Sequence, residues 1–109
     1  MITLQNDKMT VKISEVGAEL KSIFCGGVEY IWEGKKEIWG SSAPMMFPIC
    51  GGLKDNKYIF EGKEYTLPKH GYCRSLLFDV ESLSDNAVVL LHSSNDETKK
   101  TSPSTLNFV

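Results

Sequence analysis

APMMFPICGGLKDNKYIFEGKEYTLPKHGYCR, residues 43–74, contains the strongest strand signal in this 109-residue chain. Its centre, Lys57–Leu67, reads KYIF-EG-KEYTL. Aromatic residues stand on both arms, and Glu61-Gly62 supplies the two-residue turn that antiparallel strands need. Upstream, Gly51-Gly52 follows the apolar run MMFPIC. No GxxxxGK[ST] or GxGxxG pattern surrounds this glycine pair, so it reads as a turn into the hairpin rather than a phosphate cradle. Lys54 and Asp55 are then loop charges. Downstream, Pro68 restrains the backbone before His70-Gly71, and Arg74 lies three residues on.

Working outward, the same pattern repeats. Ile2–Gln5 and Met9–Ile13 alternate apolar and polar residues around Asn6-Asp7-Lys8, which predicts a hairpin. Ala18–Cys25 and Val28–Trp32 flank Gly26-Gly27, a pair suited to positive φ in a tight turn. Leu76–Leu83 and Ala87–Ser93 form another pair around Ser84-Asp85-Asn86. The run AVVLL within the second arm suits a strand buried on both faces. Helical signals are thin: Ser14–Leu20 is interrupted by Gly17, and Lys35–Trp39 suits a single turn. Asp96–Ser104 is polar and leaves the preceding sheet. Consecutive hairpins throughout predict an all-β chain of the sandwich class.

Bulk properties narrow the possible functions. One hundred and nine residues make one domain, 1–109, and an apolar fraction of 41 % with 24 % charge excludes a disordered chain. A net charge of −2 gives no electrostatic footprint for nucleic acid. No apolar run is long enough to span a bilayer as a helix, and MITLQNDKMT lacks the charged and apolar regions of a secretory signal. Cys25, Cys50 and Cys73 are odd in number and widely spaced, which suits the reducing cytoplasm rather than a disulfide framework.

The residues that could carry chemistry gather at 70–74. A neutral imidazole donates from one nitrogen and accepts at the other, so His70 can hold a hydroxyl or move a proton. A lone histidine is nevertheless more often a packing or surface residue. Arg74, commonly a solvated charge, adds a fork that grips vicinal hydroxyls or a phosphate. Tyr72, beside His70-Gly71, is the aromatic residue favoured for ligand contact; Trp32 and Trp39 are weighed as core or cross-strand packing. His70-x-x-Cys73 has a ligand-like spacing, but no CxxC pair accompanies it, so no metal is expected. Cys73 is a poor nucleophile for His70, because residues at odd spacing on a strand face opposite ways. His92, ending the AVVLL strand, reads as structural.

The order GAELKSI (17–23), EYIWEG (29–34), Ala43-Pro44, FPICGGLKDNKY (47–58) and LPKHGYCR (67–74) resembles the aldose 1-epimerase (galactose mutarotase) superfamily, in particular its LacX-like bacterial branch. The resemblance spans about residues 1–100. It implies a galactose mutarotase-like β-sandwich (supersandwich), of which this chain is an incomplete N-terminal part built of antiparallel hairpins. It also implies a cofactor-free isomerase acting on a hexose or hexose phosphate. In that chemistry a carboxylate takes the proton of the anomeric hydroxyl while a histidine protonates the ring oxygen; the ring opens, the C1–C2 bond rotates, and the other anomer closes. His70 matches the family histidine that holds sugar hydroxyls, and Arg74 matches the arginine that faces the phosphate in the hexose-6-phosphate branch.

Two departures accompany the match. Gly52 stands where the family carries an earlier sugar-binding arginine. The family's acid histidine and base glutamate fall beyond residue 109, and His92, Asp96 and Glu97 occupy no matching motif. Residues 96–109 are a divergent polar tail, ending in TSPSTLNFV where relatives begin another strand. The expectation is therefore a truncated aldose 1-epimerase-like protein with substrate-binding residues His70, Tyr72 and Arg74, no catalytic residue of its own and little activity alone. Two alternatives stay open: a carbohydrate-binding module without catalysis, and a structural fragment that self-associates through exposed strand edges.

Overall fold

The computed structural model describes residues 1–104 and 107–108. Among these residues nine strands and one α-helix run in the order β1 (Ile2–Gln5), β2 (Met9–Ile13), β3 (Leu20–Cys25), β4 (Val28–Glu29), β5 (Lys57–Phe60), β6 (Lys63–Thr66), β7 (Asp79–Leu83), β8 (Val88–Ser93), α1 (Asp96–Thr101) and β9 (Asn107–Phe108). They form a four-stranded sheet β1-β2-β3-β4, a ribbon β5-β6 and a three-stranded sheet β7-β8-β9, all antiparallel. This is the all-β arrangement that the turn signals predict.

Turn chemistry sets each hairpin. Gly26 and Gly27 both have positive φ (57° and 80°), as do Glu61 and Gly62 (49° and 76°). That is the backbone twist which lets two residues join antiparallel strands without splaying them. In the first hairpin the Asn6 Oδ1 accepts from the amides of Lys8 and Met9, closing the loop with a side chain. Tyr58 and Tyr65, directly opposite in the β5-β6 register, stack with ring centroids 5.3 Å apart.

Several expectations are corrected. The predicted strand Val28–Trp32 stops at Glu29, because the Glu29 carboxylate accepts from the amides of Ile23 and Ile31 and diverts the backbone. Ala18–Cys25 begins only at Leu20, since Gly17 and Ala18 turn through left-handed φ. Ser14–Leu20, where Gly17 already weakens the helical signal, is accordingly a turn leading into β3. The AVVLL strand is not buried on both faces: Leu90 is buried at 9 % exposure, while Val88, Val89 and Leu91 are half-buried. The polar segment after Ser93 leaves its sheet as α1. There Asn95 caps the amide of Thr98 and the Thr98 hydroxyl accepts from the Asn95 amide, satisfying two amide groups at the helix start.

Ile2, Cys73, Phe78 and Leu90 form the core, with Leu4, Ile13, Ala18, Phe47, Leu76 and Val88 packed around it. This cluster joins β1 and β2 to β8 and to Phe78, the residue before β7, and takes in Cys73 and Leu76 of the intervening turn. The joint is reinforced by the bridge Val16↔Leu77 and by hydrogen bonds from Gly17 to Leu76 and from Phe78 to Glu15. His92 belongs to this framework, since Nδ1–H donates to the Leu77 carbonyl at 3.0 Å and the ring lies 5.6 Å from that of Phe78.

Candidate functional site

His70 is fixed by the loop that precedes the ribbon. Its backbone N–H donates to the Gly51 carbonyl at 2.7 Å, and its Nδ1 accepts from the Gly51 amide at 2.9 Å. Because Nδ1 is an acceptor here, the neutral ring carries its proton on Nε2 and presents a donor. The local backbone makes this grip possible. His70 and Gly71 both have positive φ (66° and 73°), which reverses the chain after Pro68. The Phe47 carbonyl then accepts from the amides of Tyr72 (3.0 Å) and Cys73 (3.2 Å). Gly51-Gly52 is thus a turn whose first residue clasps the histidine.

Arg74 lies on the short turn Cys73–Ser75, against which Gly17 packs so closely that a Cβ there would meet the Arg74 carbonyl oxygen at 2.5 Å. His70 and Arg74 open into one cleft of about 360 Å³, lined also by Lys69, Trp39, Pro44 and Met46. Among the described residues no carboxylate lines it. Among the described residues neither the Lys69 ammonium nor the Arg74 guanidinium has an ion pair. The cleft therefore has a cationic wall with an imidazole donor and an apolar wall carrying an indole. A larger opening of about 790 Å³ between Thr3–Asp7 and Leu83–Asp85 contains none of these residues and lies away from them in the fold.

The structure separates Tyr72 from this cleft. It is half-buried on the side of α1, where burial raises its phenol above the ordinary value and the Ser102 hydroxyl partly offsets that rise. Tyr58 stands on the same side and donates to the Thr101 carbonyl. Standing beside His70-Gly71 does not bring Tyr72 into the cleft, because the left-handed pair at 70–71 and the turn at 73–75 redirect the chain. Trp39 takes the aromatic position instead. Cys73 is fully buried with Sγ 3.2 Å from Met45 Sδ, and burial pushes its thiol up, which removes it as a nucleophile. Among the described residues no three His, Cys, Asp or Glu side chains converge as a metal site.

Glu19 holds the apolar wall in place. Its Oε1 accepts from the amides of Ser42 (2.6 Å) and Ala43 (3.1 Å), and Oε2 meets Lys21 Nζ at 2.9 Å. The Trp32 indole N–H ties down the same loop by donating to the Trp39 carbonyl at 2.7 Å. Burial alone raises the Glu19 carboxyl, but the Ser42 amide, Lys21 and the Ala43 amide together outweigh it and hold the group below 4.5. A carboxyl depressed in the fold adds stability above its unfolded value, and that stability disappears as pH falls through the folded value. Acid below about pH 4.5 is therefore expected to loosen the 39–46 loop. Trp32 and Trp39 are the only tryptophans in the chain, so their fluorescence reports on this loop. Glu19→Gln should remove that acid-linked change and cost about 1 kcal/mol, the net size of a typical hydrogen bond. Identical fluorescence–pH curves for the two proteins would contradict the anchoring role.

The fold and the cleft together define a β-sandwich segment of the galactose mutarotase type. A galactose mutarotase related enzyme from Lactobacillus acidophilus matches 98 % of this chain with a TM-score of 0.95 and 38 % identity. A galactose mutarotase-like protein from Lactobacillus casei matches 96 % with a TM-score of 0.92 and 38 % identity. This chain covers 36 % of each. In sequence, the plasmid-encoded Protein LacX of Lactococcus lactis subsp. lactis is 34 % identical over 102 residues, 88 % of this chain. The chain spans about a third (34 %) of that relative's length. The family model for aldose 1-epimerase matches residues 1–108. The chain belongs to the aldose 1-epimerase family, in its LacX-like branch.

Proposed function

We propose that this chain forms the substrate-holding part of an aldose 1-epimerase-type site that takes a hexose or a hexose phosphate in the cytoplasm. The observation that carries the reading is the convergence of the His70 Nε2–H donor, Lys69 and Arg74 on one cleft facing Trp39. A sugar presents hydroxyls to the donor side and a C–H face to the indole, and a phosphate suits the two cations. Family membership and the mutarotase-like relatives support sugar as the ligand class. Three free, widely spaced cysteines support a reducing compartment.

Anomer interconversion needs a base at the anomeric hydroxyl and an acid at the ring oxygen. Among the described residues the cleft supplies an imidazole and no carboxylate. His70 therefore orients the sugar, and proton removal from the anomeric hydroxyl awaits a group that these residues do not provide. The isolated chain is expected to bind without turnover. Titration with glucose, galactose and their 6-phosphates should shift the His70, Arg74 and Trp39 indole resonances, while exchange spectroscopy shows α/β interconversion at the spontaneous rate. Absence of shifts at millimolar sugar would sink the binding reading. Robust exchange abolished by His70→Ala would overturn the expected inactivity.

A further inference from the structure

Gly52 is a glycine that neither the backbone nor a close approach demands. Its φ lies outside the left-handed region, unlike that of Gly51 at 89°. A Cβ placed on it would overlap nothing, unlike one at Gly71. Among the described residues, the atoms beyond its chain neighbours that come within 4 Å of such a Cβ are Lys69 Cγ at 3.8 Å and Lys69 Cβ at 4.0 Å. Both are ordinary van der Waals distances. The missing side chain leaves a bare stretch of backbone under the stem of one lysine.

Hydrogen bonds on both segments fix this juxtaposition. Gly51 and His70 are clasped by the His70 amide on the Gly51 carbonyl (2.7 Å) and the Gly51 amide on His70 Nδ1 (2.9 Å). The residue after Gly51 therefore lies beside the residue before His70. Lys69 is also the second residue of the turn Pro68–Gly71, closed by the Gly71 amide donating to the Pro68 carbonyl at 2.9 Å. The positive φ of His70 (66°) is what a type II turn requires at its third position. A lysine on open surface spreads its ammonium over many rotamers, whereas a stem lying along a neighbouring surface narrows the directions open to the head. Lys69 lines the cleft together with Arg74 and His70, facing Trp39, Pro44 and Met46. Among the described residues neither cation has an ion pair.

We propose that Lys69 is a specificity-determining residue of this cleft, held by its stem across Gly52 and selecting sugars that carry an anionic group able to meet both its ammonium and the Arg74 guanidinium. For the neutral part of the ligand this rests on the sugar reading above. The planar guanidinium fixes the orientation of an anion, and the ammonium adds a compact charge without demanding a second geometry. Residue 52 acts through the lysine as its seat. A side chain larger than a methyl group would extend beyond Cβ into the stem and displace it.

The test follows NMR titrations of the full 109-residue chain at low salt with three probes: glucose 6-phosphate, glucose and inorganic phosphate. Lys69→Met keeps an unbranched stem over Gly52 and removes the charge. It is expected to weaken both phosphate probes by about threefold to fivefold, the scale of a solvent-exposed ion pair, and to affect glucose less. Gly52→Leu should cause a similar loss in the unsubstituted chain and no further loss in Lys69→Met, the non-additivity of two residues that act through one contact. Gly52→Ala, whose methyl group fits beside the stem, should bind all three probes like the unsubstituted chain. Nuclear Overhauser contacts from the Gly52 Hα protons to the Lys69 side chain report the seat directly, without any ligand or substitution. Unchanged phosphate affinity in Lys69→Met, an equal loss from Gly52→Leu in both backgrounds, or absence of the Gly52–Lys69 contact would each overturn the proposal. If both phosphate probes bind equally through Lys69 and glucose does not bind, the anion site stands and the sugar reading alone fails. Glucose binding with neither phosphate probe dependent on Lys69 keeps the sugar reading and removes this one.

Discussion

Gly71→Ala is expected to destabilise the fold by about 2–5 kcal/mol, combining roughly 1–2 kcal/mol for a left-handed residue with a Cβ and roughly 1–3 kcal/mol for an overpacked site. A Cβ at this position would overlap the oxygen and carbon of the Phe47 carbonyl and lie 2.7 Å from Pro48 Cδ. None of those atoms is the end of a flexible side chain. The Phe47 carbonyl also accepts the Tyr72 and Cys73 amides, so moving it away releases both hydrogen bonds. Gly62→Ala provides the control, because Gly62 has a similar φ of 76° but a methyl group added there would meet nothing within 4 Å. Its expected cost is the backbone share alone, about 1–2 kcal/mol. Urea denaturation of the two variants measures the difference. Natural domains have only about 5–15 kcal/mol in total, and this one has few fully buried apolar side chains, so Gly71→Ala should leave a substantial unfolded fraction. Equal midpoints for the two variants would mean that the close approach of Phe47 carries no energetic weight.

That clasp marks the limit of what the sequence discloses. Hairpins are legible wherever a dipeptide alone determines the turn, as at Gly26-Gly27 and Glu61-Gly62, whose positive φ values are local properties. The same holds for the juxtaposition of His70 and Arg74, four residues apart on a restrained segment. Features set by distant partners are not legible. Glu19 reaches the amides of Ser42 and Ala43, more than twenty residues away, and that grip brings Trp39 opposite His70. Nothing in the spacing of the tryptophans encodes it. Tyr72 is favoured in the sequence because it stands beside His70-Gly71, and adjacency does not fix direction where the chain reverses at those two residues. α1 is hidden for a different reason. Its reciprocal cap uses Thr98 where the familiar pattern has Glu or Gln, so the usual signature is missing although the geometry is complete.

The second large effect concerns ligand binding. Arg74→Ala is expected to weaken binding of a hexose 6-phosphate at least tenfold and to change the affinity for the unphosphorylated hexose by less than about threefold. A hydrogen bond to a charged group contributes about 1.5–3 kcal/mol, equivalent to at least a tenfold change. The guanidinium has no ion pair among the described residues, so a phosphate would not have to displace a carboxylate to reach it. Its backbone is held by Gly17 packing against the Arg74 carbonyl and by the Ser75 amide bonding to Tyr72, so truncation of the side chain leaves the turn standing. Because the cleft is open to solvent, part of the attraction is screened, and the phosphate preference should shrink as salt is added. Arg74→Lys separates charge from shape: it keeps a cation but loses the planar fork, and an intermediate affinity is expected. Titration calorimetry with the sugar and its phosphate distinguishes these cases. If both ligands lose affinity equally in Arg74→Ala, the arginine grips hydroxyls rather than phosphate, and the cationic wall selects no anionic sugar.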